Sequence, residues 1–175
     1  MQAHKHILGL AFTLFLAVFC AEIQALEILH FIEAKDYARV MKNANGVKIA
    51  DDGVVYVTSA EQGTVLKIVD GKIEAIQLAP AVFKKSKLGG IDLLPDGRFV
   101  IVNQGSGQVG VLDAGLKLQN LFSQSGSSAG ELNAPNPVAV SSNRNIYVGD
   151  VKNKRISVFN HQGLFLYTIG NLYHR

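Results

Sequence analysis

Cysteine is almost missing from this chain: Cys20 is the one cysteine in 175 residues. It lies inside an N-terminal apolar run, Ile7 to Cys20. A disulfide framework is therefore excluded, and the domain must hold together by packing alone. Charge is also scarce, at 18% of residues, with a formal net charge of +3. Two small basic clusters exist, Lys84, Lys85 and Lys87, then Lys152, Lys154 and Arg155. A nucleic-acid surface needs a longer basic stripe with stacking aromatics, so both clusters read as solvated loop charges and no nucleic-acid partner is expected. The five histidines are scattered and show no zinc-ligand spacing. No N-x-S/T acceptor is present.

Long apolar runs are lacking too. The N-terminal run of fourteen residues is short of the ~20 that a membrane span needs. A polar stretch, His4-Lys5-His6, precedes it and a small residue, Ala25, closes it. The pattern reads as a signal peptide over residues 1–25, which makes the mature chain 26–175 secreted or periplasmic. The alternative is an uncleaved membrane anchor. Phe19 is too large for a lipobox ahead of Cys20, so a lipoprotein is not the reading. After cleavage no membrane association is expected.

What is abundant is turn chemistry and short β-rich runs. Apolar residues make up 48% of the chain, and 17 glycines punctuate it. Leu26 to Ile32 reads as an isolated strand. From Asn45 a pattern begins: strand, Asp-Gly turn, strand, turn, strand, Asp70-Gly71, strand. Asp-Gly and Asn-Gly pairs favour tight hairpins because both residues tolerate positive φ. The same grammar returns at Gly90 and again at Pro137, at steps of 44 and 47 residues from Gly46. Three four-stranded meanders follow, over 45–79, 90–122 and 137–170. A meander cannot bury both faces alone and packs against copies of itself.

Two catalytic-looking motifs dissolve in context. Gly126-Ser127-Ser128-Ala129-Gly130 fits G-x-S-x-G, but the following Asn133-Ala134-Pro135-Asn136-Pro137 cannot supply the helix of a nucleophile elbow. Gly105 to Gly110 fits G-x-G-x-x-G, but a strand follows it rather than a helix.

The third unit resembles an NHL repeat. The match runs through Gly130, Leu132, Pro135, Val138-Ala139-Val140, Ile146-Tyr147-Val148, Asp150, Asn153, Arg155-Ile156, Phe159, Gly163, Phe165 and Gly170. Gly149 stands where that family favours Ala, and Pro137 where it favours Gly. The first two units look like a wider group of propellers that includes gluconolactonase-like enzymes. The resemblance implies an all-β fold, a six-bladed β-propeller of which three blades are present. It also implies that Pro135, Asp150, Asn153, Arg155 and Gly163 are architecture, with Asp150 and Arg155 a partly exposed pair across their turn.

Binding chemistry would then sit at strand ends, at Asn45, Asn103 and Asp150. Asn45 matches the position that ligates a divalent cation in gluconolactonase-like enzymes, and its oxygen suits Ca²⁺. No nucleophile–base pair or metal cluster stands in a convincing context, so the sequence points away from catalysis. It points to a scaffold for a protein, peptide or glycan. The alternative is a Ca²⁺-dependent lactonase, esterase or amidating-lyase type of enzyme, incomplete in this chain. An unclosed ring should expose apolar faces bearing Val55, Val57, Ile156 and Val158, and self-associate.

Overall fold

In the computed structural model, residues 43–60, 63–78 and 87–170 are described. The signal-peptide segment, the Leu26–Ile32 strand and the Lys84–Lys85 cluster lie outside them. The described residues hold three antiparallel four-stranded sheets. Sheet 1 is β1 (Ala44–Ile49), β2 (Val55–Ser59), β3 (Thr64–Val69) and β4 (Lys72–Gln77). Sheet 2 is β5 (Leu88–Leu93), β6 (Phe99–Asn103), β7 (Gln108–Leu112) and β8 (Leu118–Phe122). Sheet 3 is β9 (Pro135–Val140), β10 (Ile146–Asp150), β11 (Arg155–Phe159) and β12 (Phe165–Gly170). In each sheet the spatial order follows the sequence order, a plain meander.

The first strands β1, β5 and β9 lie side by side from sheet to sheet. Each starts earlier than the hydrophobic pattern alone suggests. A register shift interrupts each first-strand pairing near its start, around Asn45-Gly46, Gly89-Gly90 and Asn136-Pro137. These bulges sit at the residues that open each sequence repeat. The first strands also approach closely. A Cβ on Gly46 would come within 2.7 Å of the Gly89 carbonyl oxygen, and one on Gly90 within 2.6 Å of the Asn136 oxygen. Glycine is needed there for contact, whatever its φ.

The short connections share one conformation from sheet to sheet. In the β1–β2, β5–β6 and β9–β10 turns, Gly53, Gly97 and Arg144 have φ of 82°, 82° and 66°. Their amides bond back to Ala50, Leu94 and Ser141. In the β2–β3, β6–β7 and β10–β11 turns, Gly63, Gly107 and Lys154 have φ of 60°, 67° and 54°. The first set, with the β3–β4, β7–β8 and β11–β12 turns, marks one end of the stack, called here the hairpin end. The second set and the longer β4–β5 and β8–β9 connections mark the loop end.

Sheet 2 lies between the other two. One core joins sheets 1 and 2, through Val65, Leu78, Ile91, Phe99, Ile101 and Leu112. A second joins sheets 2 and 3, through Val100, Val102, Val109, Val111, Ile146, Val148 and Phe159. Strand β6 reads FVIVN, with every residue buried, because Phe99 and Ile101 point one way and Val100 and Val102 the other. Burying each such side chain is worth about 1.5–3 kcal/mol over leaving it in water. β10, in the end sheet, alternates buried and half-buried positions instead.

The expected exposed set needs correction. Val57 and Val158 are buried, each on a central strand paired on both sides. Tyr147 and Tyr167 flank Val158 on either side. The exposed apolar residues lie mainly toward the sheet margins: Val47 and Ile49 on β1, Leu166, Tyr167 and Ile169 on β12, with Ile156 beside them.

Candidate functional site

The three residues singled out from sequence all lie at the loop end, on first-strand starts or second-strand ends. Asn45 stands at the β1 bulge, exposed, and its Nδ2 donates to the Leu88 carbonyl at 3.0 Å. Leu88 is in turn the β5 partner of Asn103 on β6. Asn45 and Asn103 thus flank one residue at the sheet 1–sheet 2 boundary. Asp150 belongs to the next sheet, where it pairs with Pro135. The structure commits each of the three to a different partner.

Asp150 is fully buried and both of its oxygens are occupied. Oδ1 accepts from the Asn133 amide at 2.6 Å. Oδ2 accepts from Asn153 Nδ2 and from Arg155 Nε, each at 2.8 Å. Arg155 reaches on to the Ser128 and Glu131 carbonyls at 2.8 and 2.9 Å. Asn153 donates to the Gly126 carbonyl at 2.9 Å. The three side chains form a clamp that grips the backbone of the β8–β9 connection at four points. That connection carries the G-x-S-x-G run, which is a loop. The ion pair is buried, with side-chain exposures of 8% for Arg155 and 0% for Asp150, where partial exposure was expected. Arg155 is accordingly no solvated loop charge. It is drawn in because its guanidinium can serve a carboxylate and two carbonyls at once.

Sheet 2 carries a neutral counterpart of the clamp. Asn103, Ser106 and Gln108 stand where Asp150, Asn153 and Arg155 stand in sheet 3, as the Asn103–Gln108 and Asp150–Arg155 pairings show. Asn103 Oδ1 accepts from the Gly105 amide at 3.0 Å. Asn103 Nδ2 and Ser106 Oγ are buried with no hydrogen-bond partner among the described residues. Among the described residues no group of three His, Cys, Asp or Glu side chains could hold a metal ion.

Gly163 has φ of 84°, and a Cβ on it would meet the Phe122 ring at 2.5 Å. Phe122 packs in turn on Phe159, which meets Phe165 edge-on. Pro135 is buried at the start of β9. The two departures from the repeat pattern prove to be one change. A Cβ on Gly149 would sit 2.4 Å from Pro137 Cγ, so the proline ring fills the space that an alanine methyl would need.

Sequence reasoning missed Asp92. This acid on β5 accepts from the Val140 amide of β9 at 2.7 Å and pairs with Lys48 of β1 at 2.6 Å. One carboxylate therefore ties the first strands of all three sheets. The visible signal was an acid inside the apolar run Ile91-Asp92-Leu93-Leu94.

Residues 132–159 match the family model of the NHL repeat. The sheets match blades of solved β-propellers. A streptogramin B lyase structure aligns with a TM-score of 0.62 at 14% identity, over 76% of this chain and 42% of the other. Virginiamycin B lyase from Staphylococcus aureus gives 0.59 at 19%, over 74% and 42%. The periplasmic gluconolactonase of Pseudomonas aeruginosa gives 0.54 at 23%, over 72% and 39%. The chain spans about two fifths of the length of these structures. No curated protein sequence matches it.

Proposed function

We propose that this chain is an exported binding scaffold. Its loop end would present the β8–β9 connection to a protein, peptide or glycan, and its outer sheet faces would join further blades or further copies. The observation that carries this reading is the Asp150 clamp. Both oxygens of the best ligand candidate at the loop end are already spent on loop backbone, Asn153 and Arg155. What the clamp supplies is a rigid loop, which lowers the ordering cost of binding. Glu131 carries charge on that loop, and its hydrogen bonds from Gln124 and the Ser128 amide hold its carboxyl below the usual range. It therefore stays an anion at neutral pH.

The second reading is a Ca²⁺-dependent lactonase or lyase. The propellers named above favour it by their fold alone, and Asn45 would be its ligand in this chain. The test pairs a Ca²⁺ titration followed by thermal shift with a lactone hydrolysis assay on residues 26–175. The scaffold reading expects no Ca²⁺-dependent stabilisation and no turnover above a heat-treated control. Saturable Ca²⁺ stabilisation that vanishes in Asn45→Ala, together with turnover, overturns it.

A further inference from the structure

The hairpin end holds a cavity that the loop-end residues do not share. It has a volume of about 520 Å³ and is lined from all three sheets. The β1–β2, β5–β6 and β9–β10 turns supply its rim. Volumes of ~300–1,000 Å³ with an apolar lining and a few converging polar groups are typical of small-molecule sites.

The lining has a definite chemistry. Tyr56 and Phe99 pack edge to face with centroids 4.7 Å apart and form an aromatic wall, and Leu93 and Leu94 also line the cavity. Three charged side chains also line the cavity: Lys48, Asp51 and Asp52. Lys48 is neutralised by Asp92 at 2.6 Å. Asp51 and Asp52 have no ion-pair partner among the described residues. Asp52 Oδ1 accepts from the Val54 amide at 3.1 Å, which fixes the turn. Across the opening lies Ser141, whose hydroxyl is held within its own turn, accepting from the Asn145 amide and donating to Asn143 Oδ1. The cavity thus combines an aromatic wall and a net negative rim, and its one cation is already paired.

We propose that this cavity binds a small organic cation: a primary or quaternary ammonium group on an aromatic or aliphatic body. The body would lie against Tyr56 and Leu93. The ammonium group would sit between Tyr56 and the Asp51–Asp52 rim, where the ring face and two carboxylates both favour positive charge. An anionic ligand of the same shape would meet two carboxylates and a lysine that is already engaged. This site is independent of the scaffold reading, because it lies at the opposite end of the sheets from the Asp150 clamp.

The test compares two probes of one shape, phenethylamine and phenylacetate, by NMR titration of residues 26–175. Phenethylamine should bind at about millimolar or tighter. It should be preferred over phenylacetate by about tenfold or more. It should shift the amides of Asp51–Tyr56, Leu93–Gly97 and Val140–Ser142. In an Asp51→Asn/Asp52→Asn variant the preference should fall to about twofold or less. Asparagine keeps the acceptor for the Val54 amide, so an unchanged melting temperature certifies the fold. Tyr56→Leu keeps an apolar side chain but removes the ring, and should weaken the amine more than it weakens benzyl alcohol. Equal binding of the two probes overturns the proposal. So does no binding at 10 mM, shifts confined to other regions, or a preference that survives the double substitution.

Discussion

Asp150 shows how strongly burial changes the meaning of one pair of residues. On an exposed turn an Asp–Arg pair contributes roughly 0.2–1 kcal/mol. Here both side chains are almost completely buried, and Arg155 also holds two carbonyls. Removing the carboxylate leaves a buried cation without its partner. Asp150→Ala should therefore cost about 3–5 kcal/mol in urea denaturation. Asp150→Asn keeps an acceptor for the Asn133 amide and should cost less. A loss under 1 kcal/mol for Asp150→Ala would show that the pair is not buried in solution. At Gly149 and Pro137 the sequence showed two departures from the repeat, and only the fold joins them. Gly149→Ala should cost about 1–3 kcal/mol by overpacking against the proline ring. In a Pro137→Gly background most of that cost should vanish, and a double-mutant cycle measures the difference as a coupling above ~1 kcal/mol. Additive effects would contradict the contact.

The strands and turns were the most legible level. Asp-Gly and Asn-Gly pairs, β-branched runs and a period of 44 to 47 residues carried the three meanders. The αL positions recur even where glycine does not, as Arg144 and Lys154 show. What stayed hidden was set by contacts distant in sequence. The bulges in β1, β5 and β9 obscured where those strands begin, because Asn, Gly and Pro there read as punctuation. The continuous burial of β6 comes from having a sheet on each side, which no local pattern states. Asp92 joins residues 44 and 48 positions away, Lys48 and Val140. The clamp makes its own prediction for an element. Asn153→Ala removes the bond to the Gly126 carbonyl and one to Asp150. Hydrogen exchange at the Gly126 and Leu132 amides, which close the β8–β9 connection, should speed by tenfold or more, for a lost bond of about 1–3 kcal/mol. Exchange at the β6–β7 amides should not change. Uniform acceleration through all three sheets would mean that the clamp holds the whole fold rather than its loop.

Across the whole molecule, the asymmetry between sheets matters most. Among the described residues, sheet 2 packs against a neighbouring sheet on each face, whereas sheets 1 and 3 each pack against one. On sheet 3, Ile156 faces Ile169 across the β11–β12 pairing, and the two are 40% and 47% exposed. In sheet 2 the position of Ile156 is taken by Val109, fully buried against its neighbour. An apolar face that no other described sheet covers favours association. Light scattering on residues 26–175 across a concentration series tests this most directly, with wild type beside an Ile156→Lys/Ile169→Lys variant. Both substitutions fall on half-exposed positions and leave the cores intact. The scaffold account predicts a mass that rises with concentration in the wild type and a monomer in the variant. A wild-type monomer at the highest concentration, or association undiminished in the variant, would contradict it.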